Sequence, residues 1–223
     1  HLQERTIECA PVILQMIPEL WQRAEGQSLL KIQIMLALQR LVHALGKDSP
    51  MAYPVVLPIL RFVIDRNNQD PTNALEDGIL LWIVVLRNAP EPVPDVVGPV
   101  ESLLHIMGMS SEYILTGTRC ITSSVLLYRD LILENYGNEI NRVLGGYVGT
   151  VKDRAMIDVV SCLDVIFQAC PKYGLQCIVG SIAALVLDIF DKNKGVIVIA
   201  PVLVLLSRIS IARGPNQIQL LFE

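Results

Sequence analysis

Aromatic residues are scarce in this chain, at 5%, and charged residues reach only 18%, below the usual quarter. Aliphatic residues take their place, and 52% of the sequence is hydrophobic. A chain of 223 residues with that content fills a continuous core, so disorder is excluded. The mixture suits helices packed on helices, with much of each helix covered by its neighbours. Basic residues are too few for a nucleic-acid surface, which needs clustered Lys and Arg to neutralise phosphates; the formal net charge is −4. The acidic excess is uneven. Residues 1–70 hold 7 basic against 7 acidic side chains, 71–139 hold 3 against 9, and 140–223 hold 8 against 6. The middle third reads either as a solvated acidic rim or as a surface that attracts a basic partner.

The five cysteines, Cys9, Cys120, Cys162, Cys170 and Cys177, include no C-x-x-C pair. An odd, irregular set in a chain with a large core predicts buried, reduced thiols and a cytosolic or nuclear compartment. No Asn-x-Ser/Thr sequon and no charged n-region before an apolar run occur, which removes a secretory signal. The first residue is His1, and the sequence stops at Leu220–Glu223 inside what reads as a new helix, as expected of a piece of a longer protein. Mean hydropathy is +0.47, yet the most apolar runs, Cys177–Leu187 and Val196–Leu206, are 11 residues each, the second interrupted by Pro201. A span needs about 20, so both are expected to be buried core helices, with no membrane insertion.

Along the chain, Pro11 and Pro18 predict a helix that restarts at Pro11 and kinks at Pro18. Residues 28–45 place Ile34, Leu38, Leu41, Val42 and Leu45 on one helical stripe, with Arg40, His43 and Lys47 on another face. The pair that follows organises the rest. Val56, Ile59, Leu60 and Val63 line one helix, Asn67, Asn68, Asp70 and Pro71 break it, and Asn73 with Glu76 resembles a capping box for a helix reaching Asn88. Every residue from Ile79 to Leu86 is apolar. Two such helices cannot bury their apolar faces alone, so neighbours of the same plan must stack on them.

Those neighbours are legible. Pro90, Pro92 and Pro94 make a stiff connector to a helix striped with Val96, Val97, Val100, Leu103, Leu104 and Met107, whose outer face pairs Glu101 with His105. A long helix over 111–134 places Ile114, Ile121, Val125, Tyr128 and Ile132 on one side and Thr116, Arg119, Ser123 and Asp130 on another. Asn135–Asn138 ends it, and a short helix over 138–150 carries Gly145, Gly146 and Gly149. Met156, Val159, Val160, Leu163, Phe167 and Cys170 mark a helix stopped by Pro171, with Asp158, Ser161, Asp164 and Gln168 as its polar line. Helices over 172–190 and 195–212 follow, divided at Asp191–Lys194, and Gly214–Pro215 opens the last. The first helices of successive pairs open near Tyr53, Val93, Asn138, Tyr173 and Pro215, at separations of 40, 45, 35 and 42 residues. That matches the HEAT or armadillo period and not the 33–34 residues of ankyrin or TPR repeats. The expected fold is an all-α, HEAT-repeat, right-handed superhelical solenoid of about five helix pairs, a single array over 1–223.

Chemistry finds no foothold. Gly46-Lys47-Asp48 lacks the glycines and the Ser/Thr of a Walker loop, and Gly145-Gly146-Tyr147-Val148-Gly149 follows no strand, so close helix packing explains it better than a phosphate cradle. Cys162, Cys170 and Cys177 are too widely spaced for zinc and read as core. His1, His43 and His105 are scattered, without triad partners. Asp158 and Asp164 stand nearly two turns apart, which fits a contact or solvated face better than acid–base work. Trp82 sits in an apolar octet and reads as packing rather than a partner anchor. No catalytic residue, metal or cofactor is expected; the protein binds rather than catalyses.

The phrase Tyr53–Pro58, YPVVLP, followed by Leu75–Trp82, LEDGILLW, resembles the importin-beta superfamily of nuclear transport receptors, and within it the importin eleven type. The specific likeness covers residues 50–90, with weaker helix-pair similarity over most of the chain. Receptors of this kind are several times longer, so the chain resembles a central segment. The resemblance implies a receptor that shuttles between cytoplasm and nucleus, binds protein cargo and the phenylalanine-glycine repeats of nucleoporins, and releases import cargo to Ran-GTP, whose main contacts lie in N-terminal repeats. It also implies that the second helix of each pair lines the concave face. By helix order that selects Glu76, Asp77, Thr116, Arg119, Ser123, Asp158, Ser161 and Asp164 as candidate protein-binding residues. A HEAT scaffold that assembles a protein complex without transport shares the periodicity and the composition.

Overall fold

The computed structural model describes residues 2–65, 67, 74–192, 195–214 and 216, among which no strand occurs. They divide into two compact units, His1–Leu103 and Leu104–Glu223, each built from paired helices. This is the all-α HEAT-type architecture that the periodicity predicts.

The first unit opens with α1 (Leu2–Arg23) and α2 (Ser28–Leu45). α1 runs unbroken through Pro11 and Pro18, so the restart expected at Pro11 does not occur. Both prolines are exposed, while Ala10, Leu14 and Ile17 hold the inner stripe. α2 has the predicted bounds, and Ile34, Leu38, Leu41, Val42 and Leu45 are all buried. A 3-10 segment, Gly46–Ala52, leads into α3 (Tyr53–Val63). The YPVVLP phrase has a physical basis there. Pro54 stands in the first turn, where a missing N–H costs little, and Pro54 and Pro58, four apart, share the solvent side while Tyr53, Val56 and Leu57 turn inward.

α4 (Leu75–Asn88) packs on α3 and α2, and α1 packs on α2. Its apolar octet is covered as predicted: Ile79, Leu81, Trp82, Ile83, Val85 and Leu86 are buried, each full burial contributing about 1.5–3 kcal/mol. Gly78 marks the crossing with α3, because a Cβ built there would come 2.6 Å from Val63 Cγ1. Trp82 is packing, as expected, and its Nε1–H donates to Val96 O at 2.8 Å, which ties α4 to α5 (Pro94–Val97). The predicted breakers Asn68, Asp70 and Pro71 and the capping residue Asn73 lie outside the described residues.

The helix after α5, α6 (Val100–Met109), contains the division between units. Val96, Val100, Leu103, Leu104 and Met107 are buried, as the stripe predicts, and Glu101 and His105 are exposed. In the second unit, α7 (Ile114–Tyr128) is followed directly by α8 (Asp130–Tyr147). The long helix to residue 134 is therefore wrong, and so is the turn at Asn135–Asn138, which sits inside α8. The chain turns at Arg129, whose φ of 54° is the only positive value at a non-glycine residue among those described. Gly46 ends α2 in nearly the same conformation (φ 55°, ψ −122°, against 54° and −136°). A turn that normally calls for glycine is thus made by an arginine.

α9 (Asp153–Ala169), α10 (Gly174–Lys192) and α11 (Val196–Arg213) complete the described helices. Within this unit α7 packs on α9 and α9 on α11, forming one row; α8 packs on α10, forming the other. The second row is sewn by small residues four apart. Gly137 O accepts from Cys177 Sγ at 3.1 Å, Asn141 Oδ1 accepts from Ser181 Oγ at 2.6 Å, and a Cβ at Gly145 would lie 3.2 Å from Ser181 Oγ. Close packing at Gly145 is borne out. Gly146 has nothing within 4 Å and Gly149 serves a turn with φ of 75°, so neither is a packing glycine. Pairs open at Tyr53, Pro94, Asp130 and Gly174, replacing the predicted Asn138 by Asp130.

α11 departs most from its expected burial. Pro201 does not interrupt it, and 18 continuous residues form a helix long and apolar enough by composition to cross a membrane, only 22% of it buried; Ser28–Val63 passes the same test with 39% buried. Val198, Val202, Leu205 and Ile209 face inward, whereas Val196, Ile197, Leu203, Val204 and Ile211 are exposed. The inner face and an ion pair from Arg208 to Asp164 tie α11 to α9. Residues 193–194 and Pro215, where a break and a further helix are predicted, lie outside the described residues.

Candidate functional site

The eight candidate residues fall on α4, α7 and α9, all second helices of their pairs. Glu76 and Asp77 occupy the first turn of α4, where carboxylates complement the positive end of the helix dipole. Glu76 is exposed; Asp77 is half-buried, and its carbonyl accepts from Gln39 Nε2 of α2 at 3.3 Å. These two belong to the first unit and the other six to the second.

On α7 the prediction is corrected. Thr116 is 5% exposed and Ser123 4%, so neither presents a surface. Short hydroxyl side chains return their hydrogen bonds to the preceding turn: Thr116 Oγ1 donates to Tyr113 O at 3.4 Å and Ser123 Oγ to Arg119 O at 2.9 Å. That satisfaction lets them enter the helix interface. Arg119 remains exposed. Asp130, read with them as one polar side, instead caps the start of the α10 segment, accepting from Tyr173 N at 3.0 Å and Lys172 N at 3.2 Å.

On α9, Asp158 is half-buried and Ser161 exposed, its Oγ donating to Ile157 O at 2.7 Å. Asp164 is not a free negative charge. Its Oδ2 accepts from Arg208 of α11 and from Gln168 Nε2 at 2.9 Å, while Oδ1 is buried without a hydrogen-bond partner among the described residues. No sequence signal announces this pairing, because the arginine lies 44 positions away.

A second unannounced cluster lies in the first unit. Lys31, 4% exposed on an apolar face of α2, places its Nζ 5.4 Å from the Trp21 ring centre and 5.1 Å from that of Phe62. The rings meet edge to face at 6.3 Å. A cation over aromatic faces is attracted to their quadrupoles, so this contact pins α1, α2 and α3 together.

The thiols divide by burial. Cys120, Cys162 and Cys170 are buried and Cys177 half-buried, none in a disulfide; Cys9 is exposed on α1, contrary to the expectation of an all-buried set. Burial pushes the Cys162 and Cys170 thiols up to about 12 and Cys177 to about 11, which keeps them protonated and without nucleophilic character near neutral pH. Among the described residues no three His, Cys, Asp or Glu side chains converge on a metal position. His43 and His105 are exposed, as predicted; His1 lies outside the described residues. Within each unit the candidates that keep solvent access are polar positions on second helices: Glu76 and Asp77 in the first, Arg119, Asp158 and Ser161 in the second.

Comparison with known proteins identifies a family. A family described as "Importin-11-like, TPR repeats" matches residues 32–223; HEAT and TPR repeats alike are stacks of paired helices. The chain is similar to importin-11 of Mus musculus, 26% identical over 164 residues that cover 74% of this chain and 17% of that protein. The same figures hold for importin-11 of Homo sapiens. Importin beta-like protein KAP120 of Saccharomyces cerevisiae is 30% identical over 79 residues, 34% of this chain and 8% of that protein. The chain thus spans about a sixth of the length of the importin-11 proteins it matches. No solved structure matches it.

Proposed function

Since the chain belongs to the importin-11-like family, within the importin family of nuclear transport receptors, we propose that it serves a receptor that binds protein cargo and carries it through nuclear pores under Ran-GTP control. The observation that carries this reading is the family match over residues 32–223, which includes both the YPVVLP and the LEDGILLW phrases. The packing supports it: stacked helix pairs transmit small rotations across many interfaces, so one ligand changes the surface offered to another. The receptor moves between cytoplasm and nucleus and engages phenylalanine-glycine nucleoporins along its outer helices.

Cargo contact falls to the candidates that keep solvent access, Glu76, Asp77, Arg119, Asp158 and Ser161. Their acidic members favour a basic cargo segment by charge complementarity. The reading is tested with labelled full-length protein in permeabilised cells. It should enter nuclei far faster than an inert protein of the same size; entry at the passive rate would overturn it. Replacing Glu76 and Asp158 by lysine should then weaken binding of a basic peptide.

A further inference from the structure

α7 is enclosed on every side but one. Ten of its 15 residues are buried, and four of the rest, Leu115, Arg119, Thr122 and Leu126, fall at i, i+4, i+7 and i+11, which puts them on a single line of the helix. Leu115 is 43% exposed and Leu126 52%. They stand about 16 Å apart along the axis, with the exposed Arg119 between them. Every residue of α7 and α9 is described, and α7 carries no Asp or Glu. Among the described residues the Arg119 guanidinium has no hydrogen bond or ion pair.

α9 supplies a carboxylate beside it. α7 and α9 pack side by side and run in the same direction, because α8 returns the chain between them. Thr122 meets the Cys162 thiol, which fixes their register. One turn earlier on each helix, Arg119 and the half-buried Asp158 stand at one level. Asp158 makes no ion pair among the described residues either. A cation and a carboxylate thus lie on neighbouring helices without joining, each with its hydrogen-bonding capacity unused.

We propose that this ridge docks an amphipathic helix of a partner protein, which sets two large apolar side chains on Leu115 and Leu126, a carboxylate on Arg119 and, on its α9 side, a cation on Asp158. The spacing i, i+4, i+7, i+11 is the one by which two helices meet along a shared seam. Arginine is among the residues that dominate binding energy at protein interfaces, and it takes a carboxylate through two parallel bonds. The order of charges selects the occupant. A uniformly basic segment sets a cation against Arg119, and a uniformly acidic one sets a carboxylate against Asp158. A nucleic-acid backbone meets the same repulsion at Asp158 and finds one cation where it needs a track of them. The inference rests on the transport reading only in taking the partner as cargo; it refines the basic segment favoured there to one with an acidic residue at the centre of its contact face.

The test is fluorescence anisotropy on the full chain with a labelled helical peptide whose contact line reads Leu, Glu, Ala, Leu at i, i+4, i+7 and i+11, with lysines flanking the glutamate. One control peptide exchanges the glutamate and the lysines, and another carries a central proline. Only the parent peptide should bind. Leu126→Ala should weaken it about fivefold or more, and Arg119→Asp combined with Asp158→Arg should transfer the preference to the exchanged peptide; circular dichroism checks that each variant stays helical. Absence of binding, equal binding of either control, unchanged affinity in Leu126→Ala, no transfer of preference in the charge exchange, or tighter binding of a single-stranded oligonucleotide would each overturn the proposal. Nuclear entry of the full-length protein, measured alongside, separates the two readings: entry without peptide binding sinks the ridge alone, and peptide binding without entry sinks transport alone.

Discussion

Replacing Gly78 by alanine tests whether α4 reached its position because a residue without a side chain stood at the crossing. A Cβ there would lie 2.6 Å from Val63 Cγ1 and 3.2 Å from Val63 Cβ, against about 3.5–4.0 Å for ordinary carbon contacts. A rotamer change relieves the first clash and not the second, since Val63 Cβ is fixed to the α3 backbone. The helices must part by several tenths of an ångström across a buried seam. Overpacking of this kind costs about 1–3 kcal/mol, and alanine returns up to about 1 kcal/mol of helix propensity. Gly146→Ala is the control. It is helical with nothing within 4 Å, so the propensity gain of about 1 kcal/mol stands alone. Denaturant unfolding should place Gly78→Ala about 1–3 kcal/mol below Gly146→Ala. Both tryptophans, Trp21 and Trp82, lie in the first unit, so fluorescence follows Gly78→Ala and far-ultraviolet dichroism follows the control. Equal stabilisation by the two substitutions would refute the reasoning.

Tyr147→Phe removes the hydroxyl that donates to Met107 O at 2.6 Å; unfolding should cost about 1–2 kcal/mol less, because a buried carbonyl loses its donor. Arg129→Gly should stabilise the second unit by about 1 kcal/mol in thermal or denaturant unfolding, by relieving a positive φ that costs a side-chain-bearing residue about 1–3 kcal/mol, less the entropy glycine gains when unfolded. A chromogenic thiol reagent at neutral pH should label Cys9 quickly and Cys120, Cys162 and Cys170 only as the chain opens. The Cys162 and Cys170 thiols and the Tyr147 phenol, raised to about 12 by burial, hold their protons in the folded state at a pH where the unfolded chain loses them. Their contribution is whole below about pH 8.5, the unfolded thiol range, and is lost towards pH 12, so stability measured by denaturation should fall steadily across that window.

Helix content and pairing were legible because the signal is redundant: the stripes of α2 and α4 repeat over several turns, and tertiary packing agrees with them. The turn at Arg129 was invisible for the opposite reason. Sequence marks turns by glycine, asparagine and proline, and there the marks stand at Asn135–Asn138, inside α8, while an arginine makes the turn. Thr116 and Ser123 read as surface because they are polar, yet one bond to the preceding turn satisfies a hydroxyl and lets it be buried. Asp164 read as part of a contact or solvated face because its ion-pair partner lies on another repeat. Distances along one helix were predictable; neighbours across helices were not.

The transport reading is tested most directly by immobilised Ran, loaded with GTP or with GDP, challenged with the full-length protein. Retention on the GTP form alone is the expected result and makes cargo identification the next step. Retention on neither form, or equally on both, would contradict Ran control and favour a scaffold built from the same helix pairs.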